Sequence, residues 1–118
     1  MSDQKKINDF VRQHVDKGQV IHWNSLKFTG TSKEHQDMVY NICWYLYQHD
    51  IPFATEVSFK SKYNPDIICP TWIKPIIEVR HSENDKRTLE KFVRIPNELS
   101  NQIIYVDSTK AFVDWMIQ

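Results

Sequence analysis

Two acidic residues lie within apolar stretches of the sequence, where an ionised carboxylate needs a compensating partner. Asp66 stands in the segment Asn-Pro-Asp-Ile-Ile-Cys, and Glu78 stands in Pro-Ile-Ile-Glu-Val-Arg. Both segments have the composition of β-strands. If a turn centred near Trp72 joins them, Asp66 and Glu78 are near-opposite partners, with Cβ atoms roughly 4.5 to 5.5 Å apart. Two facing carboxylates repel each other unless a cation or a proton lies between them.

Glu34 is a third acidic candidate, because it precedes Met38 by four residues and Ile42 by eight, on the apolar stripe of a predicted helix. We therefore expect it to face the sheet. Three converging oxygen ligands are typical of a Mg²⁺ or Mn²⁺ site, and such a metal supports phosphodiester hydrolysis. Arg80 lies two residues after Glu78, hence on the same face of the strand, where it can contact the same phosphate.

Each of these residues also has a structural interpretation. Thr31-Ser32-Lys33-Glu34 matches a capping box, in which Glu34 bonds back to the start of its helix. Asp66 after a proline is typical of an Asx turn. Glu78 and Arg80 can form a same-face ion pair. The sequence leaves these alternatives open.

Basic residues surround the acidic pair along the chain. Lys60 and Lys62 precede Asp66 in a polar turn, and Lys86 and Arg87 belong to a charged segment that follows the second strand. Such residues can contact phosphates, although a solvated helix face explains the charged segment equally well.

The hydrophobic periodicity predicts the elements that must position these side chains. Helices are predicted over 2–17 and 31–49, from Ser82 or Asn84 to Pro96, and from residue 107 or 108 onward. Short extended pieces are predicted over 19–30, and strands over 53–59, 65–69, 76–80 and 102–106. Three successive antiparallel strands followed by a helix and a parallel strand give an α/β (α+β) fold, with a mixed sheet of about four to five strands flanked by helices.

The composition excludes several classes of protein. The 118 residues carry no formal net charge, so any contact with nucleic acid must use a local patch. Two glycines rule out a Walker loop and a dinucleotide-binding loop, and two cysteines fit neither a zinc site nor a disulfide framework. The absence of a signal peptide and of a long apolar segment predicts a soluble protein with no membrane partner, in the reducing cytoplasm.

The pattern of Glu34 on a helix, Pro65-Asp66 at a strand start and Glu78-Val79-Arg80 on the next strand resembles the PD-(D/E)XK nuclease superfamily, which has the restriction-endonuclease-like fold. The order of elements over roughly 32–107 is also similar to that of small archaeal Holliday junction resolvases and small viral nucleases. The resemblance implies one nuclease-like domain. In it, 1–30 form an N-terminal helix and extension, 31–107 the core, and 108–118 a C-terminal helix.

The resemblance also implies roles for individual residues. Asp66, Glu78 and the backbone carbonyl of Val79 would bind Mg²⁺ or Mn²⁺, with Glu34 assisting. Arg80 occupies the position where the family usually has a lysine, and its guanidinium cannot accept a proton because its pKa exceeds 12.

We therefore expect a metal-dependent nuclease that hydrolyses DNA phosphodiester bonds. Small nucleases of this type often act as symmetric dimers, so a homodimer is an implication of the resemblance. The alternative is a catalytically inactive protein of the same fold that binds nucleic acid or a protein partner, with Arg80 marking the loss of turnover. A structural or regulatory protein without a nucleic-acid role is a third possibility.

Overall fold

The structure is a computed structural model that describes residues 3–27, 32–80, 91 and 93–108. Its helices are α1 (Asp3–His14) and α2 (Lys33–Gln48), and a 3₁₀ turn covers Asn97–Leu99. The strands are β1 (Ala54–Thr55), β2 (Ile67–Ile68), β3 (Ile76–Arg80) and β4 (Ile103–Asp107). Most of the third predicted helix, including Lys86 and Arg87, and the C-terminal helix lie outside the described residues.

The four strands form one mixed sheet in the order β1-β2-β3-β4. The pairs β1–β2 and β2–β3 are antiparallel, and β3–β4 is parallel. This topology confirms the predicted antiparallel meander followed by a parallel strand. The predicted α/β character is likewise confirmed for the described residues.

Helix α1 buries Ile7, Phe10 and His14, at the spacing of one helical face. It ends three residues before the predicted boundary because Val15 leaves the helix to form an antiparallel bridge with Phe59. Lys60 satisfies the carbonyl groups at this end: its backbone N–H donates to His14 O at 2.9 Å, and its Nζ donates to Arg12 O at 2.7 Å. Such capping stabilises a helix C-terminus, where the last carbonyls lack partners.

Helix α2 begins after Ser32, whose Oγ accepts a hydrogen bond from the backbone N–H of His35 at 3.2 Å. One face of α2 buries an apolar stripe against the sheet. This stripe consists of Met38, Val39, Ile42, Cys43 and Leu46. It packs with Ile67, Ile77 and Val79 in one hydrophobic core.

The opposite face of the sheet has a second core, in which Phe10 of α1 packs near Phe59, Tyr63 and Ile76. Because both faces are covered, strand residues of either orientation are buried, and simple alternation of polar and apolar residues is lost. In the predicted strand over 53–59, Ala54 alternates with the apolar residues Phe53, Val57 and Phe59 and would face solvent if one face were buried, but it is 1% exposed.

The strand predicted over 53–59 is much shorter in the structure. Glu56 has φ 57°, in the left-handed region. A residue in this conformation cannot continue an extended strand, so β1 stops at Thr55. Buried Val57 and Phe59 follow as irregular backbone with the single bridge to Val15.

Within 19–27 the predicted extended pieces form no strand; this segment instead lines β1. Asn24 donates its backbone N–H to Phe53 O at 2.7 Å. The Thr55 hydroxyl accepts the Lys27 N–H at 3.0 Å and donates to Ser25 O at 3.3 Å. The Thr55 side chain thus bonds to backbone groups of Ser25 and Lys27, which lie beside the edge strand β1.

No helix among the described residues is long and apolar enough to span a membrane.

Candidate active site

The register of β2 and β3 brings Asp66 and Glu78 together. Ile67 pairs with Ile77 and Ile68 pairs with Ile76. One further step along this register places Asp66 opposite Glu78, as the turn centred near Trp72 predicts. Since strand side chains alternate, Glu78 lies on the sheet face that carries Ile76, and Asp66, which directly precedes β2, lies opposite it.

Backbone hydrogen bonds fix one oxygen of each carboxylate. Oε1 of Glu78 accepts the backbone N–H of Asp66 at 2.7 Å, and Oδ2 of Asp66 accepts the backbone N–H of Val79 at 2.8 Å. The Glu78 side chain is 7% exposed and that of Asp66 is 16% exposed. These bonds hold the buried Glu78 carboxylate and the partly buried Asp66 carboxylate side by side where the regular β2–β3 pairing ends.

The remaining oxygens of both carboxylates face one ammonium group. Lys91 Nζ lies 2.9 Å from Glu78 Oε2 and 3.4 Å from Asp66 Oδ1. The cation that two facing carboxylates require is therefore supplied by the chain itself. Lys91 belongs to the segment that the sequence marks only as charged, and it was not among the predicted site residues.

The two carboxyl groups have different electrostatic environments. Burial, followed by the negative charge of Asp66, raises the pKa of Glu78 to about 7, against the opposing effect of Lys91. Burial also acts to raise the pKa of Asp66, but the His35 hydrogen bond, the charge of Lys91 and the Val79 N–H outweigh it and leave this pKa below its ordinary value. Asp66 is thus ionised at neutral pH, whereas Glu78 titrates near neutrality.

His35, and not Glu34, is the α2 residue that reaches this cluster. His35 Nε2 lies 3.4 Å from Asp66 Oδ2. The Glu34 side chain is exposed to solvent, so the prediction that it faces the sheet is wrong. The physical reason is the phase of the helix: at 100° per residue, His35 lies within about 10° of the centre of the buried stripe and Glu34 about 110° from it.

The predicted capping box does not form, because the cap lies one position later than the box requires. Because Ser32 and not Thr31 is the cap, His35 takes the third helical position, which the capping box requires to be Glu or Gln. Glu34 therefore has neither the sheet-facing position nor the third position of the box.

Arg80 lies on the same face as Glu78 but is directed to the neighbouring strand. Glu78 pairs in register with Tyr105 of β4. The guanidinium carbon of Arg80 is 3.8 Å from the centroid of the Tyr105 ring, a cation–π contact. Arg80 thus brings positive charge beside the cluster, against the ring of Tyr105.

Two of the predicted phosphate-binding residues, Lys60 and Lys62, lie among the described residues. Lys60 is exposed, but its ammonium group is bonded to the α1 carbonyl of Arg12. Lys62 is also exposed, in a turn where its φ is 69°.

Two buried polar atoms near the cluster lack hydrogen-bond partners among the described residues. They are His35 Nδ1 and the hydroxyl of Tyr63. Tyr63 is 0% exposed, and Lys91 Nζ lies 6.0 Å from the centroid of its ring. Burial, the charges of Glu78, Tyr105 and Asp66, and the proximity of the hydroxyl to the Glu78 carboxylate raise the pKa of Tyr63 above its ordinary range.

The predicted group of three carboxylates is not formed. Within the part of the chain that the structure describes, no three His, Cys, Asp or Glu side chains are grouped as a metal site. The arrangement is instead a pair of carboxylates with one ammonium and one imidazole.

The sequence contained a signal for His35 but none for Lys91. His35 precedes Val39 by four residues and Ile42 by seven, which is the spacing of the buried stripe. Nothing local distinguishes Lys91 from the other basic residues of its segment, because only the tertiary fold brings it to β2 and β3.

No protein-family model matches this sequence, and searches against curated proteins and solved structures also return no match.

Proposed function

We propose that this protein is a divalent-metal-dependent nuclease that hydrolyses DNA phosphodiester bonds, built on a restriction-endonuclease-like core. One observation carries the proposal: Asp66 Oδ1 and Glu78 Oε2, from neighbouring strands, face a single cation, Lys91 Nζ, at 3.4 and 2.9 Å. A position that holds one positive charge between two buried carboxylate oxygens suits a metal ion of higher charge.

The donor set fits Mg²⁺ or Mn²⁺. Mg²⁺ prefers oxygen ligands and is usually bound by one or two carboxylates together with substrate phosphates, so a third carboxylate is not required. Asp66 and Glu78 would hold the ion, with the Val79 carbonyl as the further ligand that the resemblance implies. When bound, such an ion lowers the pKa of water and stabilises charge on the phosphate.

The residues of the chain have distinct roles in this proposal. Asp66 is the ionised ligand, and His35 orients it through the 3.4 Å contact to Oδ2. Lys91 supplies the ammonium group that the family usually places at the position of Arg80. A lysine, unlike an arginine, can also take part in proton transfer. Arg80, held against Tyr105, adds positive charge beside the phosphate.

The second candidate is a non-catalytic protein that binds nucleic acid. It is favoured by the neutralisation of Asp66 and Glu78 by Lys91. Lys91 already compensates the two carboxylates, so the cluster can be a structural ion pair that links its own segment to β2 and β3. In that case binding to DNA needs no metal, and the basic residues alone set the affinity.

Cleavage of labelled DNA separates the two candidates. The substrates are single-stranded, duplex, nicked and four-way-junction DNA, each in Mg²⁺, Mn²⁺ or EDTA. We expect metal-dependent products from the wild type and a loss of at least about 100-fold in rate in Asp66→Asn and Glu78→Gln, because each removes a ligand charge.

Asp9→Asn and Asp37→Asn are the matched controls, since both carboxylates lie in surface ion pairs outside the cluster. Their rates should equal that of the wild type, whereas the loss of products in Asp66→Asn and Glu78→Gln excludes a contaminating nuclease. A wild type that is folded and binds DNA but cuts none of the substrates in either metal would support the non-catalytic candidate.

A further inference from the structure

An open cavity of about 470 Å³ is lined by residues that are close along the chain to the acidic cluster. Its walls come from the turn that precedes Asp66 and from the segment that follows Lys91. Lys62 and Arg94 line it from these two segments. The cavity has room for a phosphate group and its neighbouring waters, since one water occupies about 30 Å³ in the liquid.

One hydrogen bond joins the two walls of this cavity. Ser61 Oγ donates to the backbone carbonyl of Arg94 at 2.6 Å. The turn itself is closed by the Lys62 N–H, which donates to Phe59 O at 3.0 Å. The backbone of Arg94 is thus linked to the turn by a direct bond.

The chemistry of the lining favours an anion. Among the described residues, neither the ammonium of Lys62 nor the guanidinium of Arg94 has an ion pair or a hydrogen bond. Asn64 adds an amide donor, and Asp16 is the one carboxylate in the lining. Asp16 Oδ1 accepts the Gly18 N–H at 3.2 Å, so its charge is partly compensated locally. Two cations against one carboxylate leave an excess of positive charge, and arginine binds phosphate oxygens bidentately.

The chain limits how far this cavity can lie from the acidic cluster. Lys62 precedes Asp66 by four residues and Arg94 follows Lys91 by three. Fully extended backbone spans at most about 3.6 Å per residue, so these backbone separations cannot exceed about 14 and 11 Å. A strand positioned at the cluster therefore brings a nearby phosphate within reach of the cavity.

We propose that this cavity binds a backbone phosphate of the nucleic-acid strand next to the one at Asp66 and Glu78, with Lys62 and Arg94 as its ligands. The placement beside the cleaved bond rests on the proposed function, whereas phosphate binding by the cavity does not. The cavity thus specifies the direction in which the strand runs from the cluster, toward the turn over 60–64.

The test measures binding of a labelled single-stranded oligonucleotide in EDTA over a range of salt concentrations. Compared with wild type, Lys62→Met/Arg94→Met should bind about tenfold more weakly at physiological salt, and its dependence of log affinity on log salt should be shallower by about 1. Lys27→Met/Arg12→Met removes the same charge from exposed positions outside the cavity and should match the wild type. Circular dichroism and the single variants Lys62→Met and Arg94→Met verify that the fold is retained.

Equal affinity and equal salt dependence in the cavity variant and the control would overturn the proposal. Inorganic phosphate serves as a separate ligand: if Lys62→Met/Arg94→Met loses phosphate binding while oligonucleotide affinity is unchanged, the cavity is a site for free phosphate and the proposal is wrong.

Cleavage assays separate this proposal from the nuclease proposal. If the wild type cuts DNA, the cavity variant should show a raised KM with little change in kcat; unchanged KM and affinity would overturn the cavity proposal alone. If the wild type cuts nothing but the cavity variant still loses affinity, the nuclease proposal fails and phosphate binding by the cavity is supported.

Discussion

Asp66 and Glu78 exchange hydrogen bonds across two strands, each carboxylate accepting a backbone N–H from the other strand. Glu78 Oε1 bonds to the Asp66 amide, and Asp66 Oδ2 bonds to the amide of Val79, the residue after Glu78. The side chains thereby continue the pairing of β2 and β3 beyond Ile67 and Ile77, the last pair toward Asp66. The same bonds direct the second oxygen of each carboxylate toward Lys91.

The first prediction concerns the pH dependence of stability. Burial and then the charge of Asp66 raise the pKa of Glu78 from 4.5 to about 7. The folded protein therefore binds more protons than the unfolded chain between about pH 4.5 and 7, and the free energy of unfolding falls as pH rises through this window. The lowered pKa of Asp66 acts only at more acidic pH, where its contribution is lost as pH falls.

Urea unfolding at pH 5, 6 and 7 measures this effect against Glu78→Gln, which has no carboxyl group at this position. Relative to the variant, the wild type should lose about 2 kcal/mol between pH 5 and pH 7. The contribution of His14, whose pKa burial lowers, is present in both proteins and cancels. Parallel stability profiles of the two proteins would contradict the raised pKa.

The second prediction concerns Lys91→Met. Removing the ammonium leaves two facing carboxylates without their cation, so the variant should lose on the order of 3 kcal/mol at pH 8. The loss should be smaller at pH 5, where Glu78 is protonated. Lys33→Met, which breaks an exposed pair with Asp37, should change stability by less than about 1 kcal/mol.

Lys91→Met also tests the metal site without any assay of cleavage. Because the ammonium no longer competes for the carboxylate oxygens, Mg²⁺ should raise the Tm of the variant more than that of the wild type. A Tm that responds equally in both proteins would indicate that the ion does not bind between Asp66 and Glu78.

The third prediction compares Ser32 and Glu34 at the start of α2. Ser32→Ala removes the Oγ that accepts the His35 N–H and should cost about 1 kcal/mol. Glu34→Gln should change stability by less than about 0.5 kcal/mol, because the side chain is exposed, and should leave cleavage unchanged. The opposite order of effects would place Glu34 in the capping box after all.

The fourth prediction concerns the hydroxyl of Tyr63, which is buried and has no partner among the described residues. Tyr63→Phe removes the polar atom and keeps the ring, so stability should stay the same or rise by about 1 kcal/mol. Thermal unfolding measures the change, and Tyr47→Phe at a half-exposed ring serves as the control. A loss of more than about 1 kcal/mol would mean that the hydroxyl donates a hydrogen bond to the nearby Glu78 carboxylate.

The sequence was sufficient to predict the hairpin and the residues that it places opposite each other. Apolar strands on either side of a proline-bounded turn set the register, so the pairing of Asp66 with Glu78 was accessible from spacing alone. The sequence determined less firmly which α2 residues face the sheet, because Thr31 and Ser32 are both able to cap a helix. A shift of one residue exchanges Glu34 for His35 at the sheet.

Other features depend on contacts that no local pattern encodes. Lys91 reaches the carboxylates from a segment 25 residues beyond Asp66 in the sequence. The early end of β1 follows from the left-handed conformation of Glu56, which glutamate has no intrinsic tendency to adopt. The burial of Ala54 reflects a sheet covered on both faces, which single-strand alternation cannot reveal.

The segment over 24–27 has a consequence for the behaviour of the protein at high concentration. The strand β1 ends the described sheet, and an exposed edge of this kind can recruit a strand from another molecule. Asn24 already bonds to the backbone N–H and carbonyl of Phe53, next to β1, and the Thr55 hydroxyl ties Ser25 and Lys27 to the strand. Only two residues long and covered along its side, β1 offers little template for intermolecular β-pairing, so the chain is protected there against ordered aggregation.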